Sequence, residues 1–543
     1  MIRNYGRCKG GKFLNQPTLS NITTGLLKTW AKGNLTSKNF HLKISVMKGI
    51  KMAIATIAMG IWAAHLGAQS MTFAYTFGKN QNEYGYGIME VADGYVIVGN
   101  ALLGGGGKAD AVALKINTDG SFGWYRTYGK NDDDVLRFPF VANDGNFIHF
   151  GYTQTNAGKR PISVKTQPNG NLIWTKTYGI VGEFLDVIKE TNGFVAVGYD
   201  FLGRGIFVKM DNDGDINLMK TYSQGSFYGV YPDGYGGYVV VGQKNGEGWV
   251  LRVDQDGEVI WSKTYGGTNL DILTDVFVSG NTIFAGGKTQ SVGAGNWDVW
   301  ILKLNLMDGS VAFSKTYGGL AEDELRSFMP NGSKVRILAY TRSWGMGAEF
   351  WVFDIDGDGN VLYYATYGGD GDDFPYMGIP TTDGGYILVG ATQTAAFSMG
   401  RAYDHFVVKI SAAGYSCIKS SEVRPIINNF TLSINSTSES PSSSTPSNFY
   451  PNFTSTSPDL DYTVVCALLG EDDELSVFEN ERALYSINVY GNKLVIKAEG
   501  RGIDIFSLNG RLNMSFFDEV EIVLPKGVYK VRVGKDVHTV LIR

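Results

Sequence analysis

Thr127-Tyr128-Gly129 is one copy of a tripeptide that recurs seven times along the chain and decides its fold. The other copies are Thr76-Phe77-Gly78, Thr177-Tyr178-Gly179, Thr221-Tyr222-Ser223, Thr264-Tyr265-Gly266, Thr316-Tyr317-Gly318 and Thr366-Tyr367-Gly368. Consecutive copies start 43 to 52 residues apart. A repeat of this length is typical of a solenoid or a propeller, in which each unit buries its apolar face against its neighbours.

Each repeat contains four short segments rich in Val, Ile, Tyr and Phe, which in the first repeat are residues 84–90, 95–100, 111–117 and 122–128. Asp-Gly or Asn-Gly pairs such as Asp93-Gly94 and Asp119-Gly120 separate them, as tight hairpins require. Each repeat is therefore predicted to be a four-stranded meander. Seven such units arranged radially predict an all-β, seven-bladed β-propeller.

The two ends of the repeat region predict how the ring closes. The last repeat supplies only three strands, around residues 375–379, 386–390 and 406–410. Residues 72–77 match the fourth strand of the other repeats but follow no first three strands. We expect this segment to complete the last blade, so that no sheet edge is left open by closure.

The chain begins with a basic segment that differs from the rest. Residues 1–70 contain ten of the 48 Lys and Arg residues and no Asp or Glu, so the remainder carries 38 basic and 53 acidic residues, a formal charge of −15. Such an acidic chain argues against nucleic-acid binding through phosphates. Residues 47–70 have the basic, apolar and small-residue pattern of a signal peptide, and residues 1–46 are either an N-terminal extension or the result of a misplaced start codon. The apolar run of this signal peptide is too short to cross a membrane comfortably, and we expect no transmembrane span in the mature chain.

We assign the propeller to residues 71–416. The part of the chain after it divides in two. Residues 417–475 are rich in Ser, Thr, Pro and Asn, which predicts a flexible linker. Residues 476–543 contain five short apolar segments that predict a small β-sandwich. In an exported protein we expect a disulfide between Cys417 and Cys466, which flank the linker.

Two parts of the chain resemble known families. Residues 503–511, with the sequence IDIFSLNGR, and residues 524–533, with the sequence LPKGVYKVRV, are similar to the type A C-terminal sorting domain of the type IX secretion system. That resemblance implies passage through the secretion machinery to a secreted or outer cell-surface location. Residues 71–415 resemble the Asp-Gly-Gly-Tyr repeat propellers of secreted bacterial proteins, which implies fold more strongly than activity.

Acidic residues recur five positions after the glycine of the tripeptide, at Glu83, Asp134, Asp271, Asp323 and Asp373. We call these aligned residues of the repeats the column. Glu183 is one place short of this column, and Tyr228 interrupts it. If these carboxylates precede the innermost strands of the blades, they form an incomplete ring near one mouth of the channel. Such a ring could bind a cation or a cationic ligand. The alternative is that each carboxylate caps its own loop.

A second acidic group suggests calcium. Asp354, Asp356 and Asp358, followed by glycine at Gly359, begin like a calcium-binding loop, although position twelve is Ala365. The alternative is an ordinary hairpin turn. His149, His405 and His538, the histidines after residue 70, lie in different repeats or domains and do not suggest a His-based metal site or triad.

The sequence thus favours an exported or cell-surface propeller that binds a surface glycan or a protein through its loops, without catalysis. The alternative class is a secreted carbohydrate-active hydrolase or lyase, with an acid and a base among Asp134, Asp271, Asp323 and Asp373.

Overall fold

The structure is a computed structural model. It describes residues 71–78, 81–102, 108–130, 132–331, 334–398, 402–416, 418–421, 424–444, 446–449, 453–456 and 461–469, and the backbone of residues 485–490, 493–507, 513–523, 527–533 and 536–542. The predicted extension and signal peptide, residues 1–70, lie outside these ranges. In the described part of the chain no helix is long or apolar enough to span a membrane.

The chain starts with β1 (Met71–Gly78) and then forms six consecutive blades of four antiparallel strands. Blade 1 contains β2 (Glu83–Val91), β3 (Gly94–Ala101), β4 (Asp110–Asn117) and β5 (Phe122–Gly129); blade 2 contains β6 (Asp134–Val141), β7 (Phe147–Thr155), β8 (Gly158–Thr166) and β9 (Leu172–Tyr178). Blade 3 contains β10 (Gly182–Glu190), β11 (Gly193–Asp200), β12 (Arg204–Met210) and β13 (Ile216–Gln224); blade 4 contains β14 (Ser226–Pro232), β15 (Tyr238–Lys244), β16 (Glu247–Val253) and β17 (Val259–Gly266). Blade 5 contains β18 (Asp271–Ser279), β19 (Thr282–Thr289), β20 (Asp298–Asn305) and β21 (Val311–Gly318); blade 6 contains β22 (Asp323–Asn331), β23 (Lys334–Thr341), β24 (Glu349–Ile355) and β25 (Val361–Tyr367).

Blade 7 confirms the predicted closure. Its first three strands are β26 (Asp373–Pro380), β27 (Tyr386–Thr392) and β28 (Asp404–Ile410). The N-terminal strand β1 pairs antiparallel with β28, with Phe73 opposite Lys409 and Phe77 opposite His405. The prediction of an all-β, seven-bladed propeller is therefore confirmed.

Residues 419–469 were predicted to be part of a linker, and this prediction is wrong. They form seven short strands, β29 (Lys419–Ser421), β30 (Ile426–Asn429), β31 (Ser433–Ser436), β32 (Ser442–Ser444), β33 (Asn448–Phe449), β34 (Thr454–Thr456) and β35 (Asp461–Leu469). In chain order they add a fifth, outermost strand to blades 6, 5, 4, 3, 2, 1 and 7. We call residues 419–469 the belt. Its polar residues gain order from backbone hydrogen bonds to open sheet edges, which composition does not reveal.

The tripeptide recurs because its tyrosine joins neighbouring blades. In six blades the tyrosine hydroxyl donates a hydrogen bond to the carbonyl of a glycine in the turn after the third strand of the next blade, as from Tyr128 to Gly170 at 2.6 Å and from Tyr317 to Gly359 at 2.8 Å. The other four bonds join Tyr178 to Gly214, Tyr222 to Gly257, Tyr265 to Gly309 and Tyr367 to Gly414. At the corresponding position β1 carries Phe77, which has no hydroxyl.

The apolar core lies between blades. One cluster combines Phe73 and Val407 of blade 7 with Ile97 and Leu114 of blade 1, all at most 1% exposed. Other clusters pair neighbouring sheets in the same way. Each blade therefore buries its apolar faces only against its neighbours, as the repeat length predicts.

The C-terminal residues form a separate sheet of five strands, β36 (Tyr485–Tyr490), β37 (Lys493–Ser507), β38 (Asn513–Val523), β39 (Gly527–Val533) and β40 (Asp536–Ile542). The long strand β37 pairs with β36, β38 and β39. Their arrangement as a sandwich stays a prediction.

Candidate functional site at the channel mouth

Each of the five predicted ligand-binding carboxylates is the first residue of an innermost strand, and each is 0% exposed. Their backbone N–H groups donate to carbonyls just before the third strand of the preceding blade, as from Asp323 to Trp297 at 2.8 Å and from Glu83 to Tyr403 at 2.7 Å. The column therefore occupies equivalent positions around the ring, but at blade junctions rather than on an exposed surface.

The carboxylates of the column accept hydrogen bonds from N–H and hydroxyl groups of the loops beside them. Asp323 accepts from the Gly319 N–H at 2.8 Å, from the Ser343 hydroxyl at 2.7 Å and from the Thr341 hydroxyl. Asp271 and Asp373 accept equivalent bonds from Gly267 and Gly369 and from the hydroxyls of Ser291 and Thr394. This is the geometry of a loop cap. Ligand binding by the column stays a prediction.

The glycine of the tripeptide lies between two carboxyl groups. A Cβ atom at Gly318 would overlap Oδ1 of Asp298 and Oδ2 of Asp323, and one at Gly129 would overlap Oδ1 of Asp110. Burial raises the pKa of Asp298 and Asp323, and the charge of Asp323 adds to the rise at Asp298. Burial also raises the pKa of Asp134 and of Asp373 to about 6.

Blades 3 and 4 have no carboxylate at the column position. In blade 3 the column position is Gly182, and the buried carboxylate of Asp200, opposite it on β11, bonds the backbone and side chain of Arg204 instead. Glu183 belongs to the next position, where it binds Arg137 at 2.6 Å. Tyr228 lies further along β14 and is discussed below.

Of the predicted calcium ligands, Asp354 lies in β24, and Asp356 and Asp358 lie in the hairpin turn that follows it. Asp354 is 3% exposed and holds Arg336 through two hydrogen bonds of 2.6 and 2.9 Å. Asp356 accepts from the N–H groups of Asp358 and Asn360 at 2.9 and 2.8 Å. Asp254 makes the equivalent bonds in blade 4. In the described part of the chain no three His, Cys, Asp or Glu side chains are grouped to hold a metal ion. Calcium binding stays a prediction.

The predicted disulfide falls outside what the structure describes. Cys417 is not among the described residues, and only the backbone of Cys466 is described, in β35 opposite Ala74. The pairing of Cys417 and Cys466 therefore stays a prediction.

A different set of residues marks the channel. Every innermost strand has a register shift against its neighbour at the same place, so one extra residue in each strand leaves the pairing. We call these seven residues the bulge ring: Tyr86, Arg137, Leu185, Tyr228, Thr274, Arg326 and Tyr376. All seven are partly exposed. A bulge redirects a side chain and is frequent beside functional sites.

Members of the bulge ring meet around the channel. The rings of Tyr86 and Tyr376, from blades 1 and 7, lie 4.7 Å apart edge to face. The guanidinium of Arg137, from blade 2, lies 5.6 Å from the Tyr86 ring. Burial raises the pKa of the Tyr376 hydroxyl to about 12. It therefore remains a hydrogen-bond donor at neutral pH.

An aromatic surface adjoins the bulge ring on one face of the propeller. This face carries the loops that join second to third strands and those that join one blade to the next, and we call it the mouth face. The ring of Tyr403 lies 5.5 Å from Tyr84 and 5.6 Å from Phe374, and Tyr84 lies 6.4 Å from Tyr376. Phe374 also stacks on Tyr340 at 5.5 Å. We call these residues and Tyr86 the aromatic platform; they belong to blades 6, 7 and 1.

Charged side chains of the mouth face form three small clusters. Glu183 binds Arg137 at 2.6 Å and Lys159 at 2.8 Å. Glu324 binds Lys288 at 2.5 Å and Arg326 at 3.3 Å. Asp372 binds Arg342 at 3.1 Å. Five cations thus share three carboxylates.

Two further carboxylates, Asp186 and Asp275, directly follow bulge-ring residues in the sequence. Asp186 accepts from the N–H of Val230 in the next blade at 2.9 Å, and Asp275 accepts from the N–H of Phe328 at 2.6 Å. Burial raises the pKa of Asp186 to about 6 and that of Asp275 to about 7, where the charge of Asp186 adds to the rise.

Sequence reasoning missed the bulge ring for a clear reason. Five of its seven residues stand three positions after Glu83, Asp134, Asp271, Asp323 and Asp373, but the residue types differ from blade to blade. A column is easily recognised when it repeats one chemistry, and this one does not. Its variation within a regular scaffold is the signal that could have identified it.

Solved structures match parts of the chain at low sequence identity. The β-propeller domain of the Trilobed protease from Pyrococcus furiosus matches at 11% identity and a TM-score of 0.36, over 62% of this chain and 97% of that one. The acylaminoacyl peptidase of Pyrococcus horikoshii matches at 11% identity and a TM-score of 0.34, over 57% of this chain and 49% of that one. The WD40 domain of SCAP from fission yeast matches at 9% identity and a TM-score of 0.28, over 56% and 82%. No protein family and no curated protein matches the chain.

Proposed function

We propose that the propeller is a binding module that holds its ligand at the channel mouth and performs no chemistry on it. The observation that carries this proposal is the contrast between two sets of positions. A buried carboxylate recurs at the column position in five blades, and in four of them Asp134, Asp271, Asp323 and Asp373 accept a bond from the N–H four residues earlier, as a structural role requires. The bulge ring carries three Tyr, two Arg, one Leu and one Thr, so each direction around the channel offers different contacts.

Exposed apolar loop residues on the mouth face support the same proposal. Phe201, Leu202, Leu270, Leu320 and Met346 are 69%, 48%, 47%, 83% and 84% exposed. All five lie in mouth-face loops of blades 3 to 6. Such side chains in the loops of one face can contribute apolar contacts to a bound ligand. These loops extend the ligand surface outward from the channel.

The test is a binding screen of the chain from residue 71 against extracellular glycans and proteins. Phe374→Ala, in the aromatic platform, should weaken binding at least tenfold without lowering the melting temperature by more than a few degrees. Tyr235→Ala is the control, since Tyr235 is 63% exposed in a loop on the opposite face. Equal affinity of both variants and the parent chain would refute a ligand site at the mouth.

Catalysis is the second candidate, and one observation favours it. The acidic residues named from sequence are buried caps, whereas Asp186 and Asp275, which directly follow bulge-ring residues, have pKa values raised to about 6 and 7. Coupled carboxyls with shifted pKa values are frequent in active sites. Turnover of a glycan that is lost in Asp275→Asn would make the protein a hydrolase or lyase.

We also propose that the protein is exported to the cell surface or the medium, with residues 47–70 as signal peptide and residues 476–543 as the sorting-like domain. The Ser- and Thr-rich belt and the acidic mature chain suit an extracellular protein. N-terminal sequencing of the exported protein should begin near residue 71. A chain that ends at residue 475 should stay inside the cell envelope, and normal surface delivery of that chain would contradict the sorting role.

A further inference from the structure

We propose that Lys176 of blade 2 and Asn448 of the belt become joined by an isopeptide bond, with Asp215 of blade 3 as the group that moves the protons. The bond fixes the belt covalently to the propeller. This modification is independent of any ligand at the channel mouth.

Side chains from three separate parts of the chain meet at one oxygen atom. Nζ of Lys176, in β9, donates to Oδ1 of Asp215 at 2.9 Å, and Nδ2 of Asn448, in β33, donates to the same oxygen at 2.7 Å. Asp215 lies in the turn between the third and fourth strands of the next blade. One carboxylate therefore holds both the amine and the amide.

The pairing of β33 with β9 places the amine and the amide on the same side of the sheet. Asn448 lies opposite Tyr178, which is two residues after Lys176. Residues two apart on a strand share a face. Diagonal neighbours on adjacent strands are close enough for long side chains to meet. The register alone thus makes the two reacting groups neighbours.

Lys176 lies where an amine can act as a nucleophile. The residue is 4% exposed, and its Nζ lies 4.5 Å from the centre of the Trp174 ring. A lysine amine becomes nucleophilic when an adjacent base removes its proton, and Asp215 is such a base. Burial also keeps away water, which would otherwise compete for the amide.

The amide of Asn448 is free to turn toward this amine. Its Oδ1 is buried and has no hydrogen-bond partner in the part of the chain that the structure describes. Asp215 is the described group that holds the amide, through Nδ2 alone. Rotation about the side-chain bonds can therefore bring Cγ to Nζ without breaking any other described hydrogen bond of the amide.

The reaction exchanges one amide for another, and its atoms and charges balance. Asp215 accepts a proton from Nζ of Lys176, and the amine attacks Cγ of Asn448. A bond between Nζ and Cγ forms, the bond between Cγ and Nδ2 breaks, and the protons pass through Asp215 to the leaving nitrogen. One ammonium ion departs, and nothing is oxidised or reduced. The side chain of Asp215 is 42% exposed, so the ammonium ion has a way to solvent.

Blade 3 shows the same pair without the amide. Lys220 precedes its tripeptide as Lys176 does, and it binds Glu258 at 2.5 Å. The belt strand beside it, β32, consists of Ser442–Ser444. The lysine and the carboxylate can form only an ion pair there. In blade 2 the belt strand β33 has just two residues, so a covalent bond adds most where backbone pairing is shortest.

The experiment is peptide mapping of the full-length protein by mass spectrometry after digestion with trypsin. We expect the peptides of Lys176 and Asn448 to be recovered as one linked species, lighter than their sum by one ammonia, with no cleavage after Lys176. Cleavage after Lys220 should be normal.

Three variants test the assignment. Lys176→Arg keeps a cation beside Asp215 but has no amine, and Asp215→Asn removes the proton carrier. Both should lose the linked species, in chains whose circular dichroism matches that of the parent. Glu258→Gln, the matched change in blade 3, should retain it in full.

Separate peptides at their full masses from the folded parent protein would overturn the proposal. An ammonia loss at Asn448 that persists in Lys176→Arg would overturn it as well, because a succinimide within the belt would then account for the loss. A linked species that survives Asp215→Asn would refute the role of Asp215.

Discussion

Single residues of the tripeptide connect six of the seven blades to the next. The Tyr317 hydroxyl reaches the buried carbonyl of Gly359 across the junction between blades 5 and 6. Tyr317→Phe keeps the ring and leaves that carbonyl without its partner, so the free energy of unfolding should fall by about 1–2 kcal/mol. Urea unfolding measures the change. Tyr364→Phe, which replaces a partly exposed tyrosine in blade 6, should change stability by less than about 0.5 kcal/mol. Equal losses in the two variants would show that the bond contributes little.

Buried carboxyls give the propeller an unusual dependence on pH. Asp275 has its pKa raised to about 7, and Asp134, Asp186 and Asp373 have theirs raised to about 6. The folded state therefore binds these protons more tightly than the unfolded chain does, and their contribution to stability is lost as pH rises through 6 to 7. The urea midpoint should be higher at pH 5.5 than at pH 8. In Asp275→Asn the difference should shrink, because the amide oxygen still accepts from Phe328 and no longer titrates. A midpoint that rises with pH would contradict this.

The sequence predicted residues well where one chemistry repeats. The tripeptide and the carboxylates of Asp271, Asp323 and Asp373 do the same work in several blades, so their spacing located them correctly at the start of inner strands. It could not show that these groups are buried, since burial depends on how a neighbouring blade packs over the loop. Arg326 and Tyr376 were missed because a bulge is a relation between two strands and has no residue type of its own.

Among the elements, the belt has the largest consequence. Without it, each blade would present the backbone groups of its outermost strand to solvent, a known route to aggregation. A chain that ends at residue 416 should therefore melt at a lower temperature and aggregate more readily than one that ends at residue 470. Differential scanning calorimetry and light scattering measure both effects. The chain that ends at residue 470 keeps the belt and lacks only the C-terminal sheet, so it is the matched control. Identical behaviour would mean that the belt is dispensable.

The belt also shows where element prediction fails. Its strands β32 and β34 consist of Ser and Thr residues that are exposed, with no alternation between apolar and polar positions. Strand prediction relies on that alternation, which reflects burial of one face. The belt strands form because an unsatisfied sheet edge already exists beside them, and only the three-dimensional structure contains that edge.

At the scale of the whole molecule, both ends of the propeller region meet in blade 7. Strand β1 lies between β28 and β35, so the first and last segments of the ring stabilise each other. In an open repeat array, stability is a sum of local terms and the end repeats open first. A closed ring has no end repeats. Its unfolding should therefore be more cooperative than that of an open array with the same blades.

This cooperativity depends on β1 and can be measured. Ala74 is 0% exposed and pairs with both Val408 and Cys466, so Ala74→Pro removes a backbone donor from the middle of the sheet and should open the ring. Hydrogen exchange should then accelerate in blades 1 and 6 as well as in blade 7. Asn435→Pro, in the belt strand of blade 4, should affect that blade's outer edge alone. If Ala74→Pro released only the amides of blade 7, the blades would be independent units, and closure would add no stability beyond the single sheet that it completes.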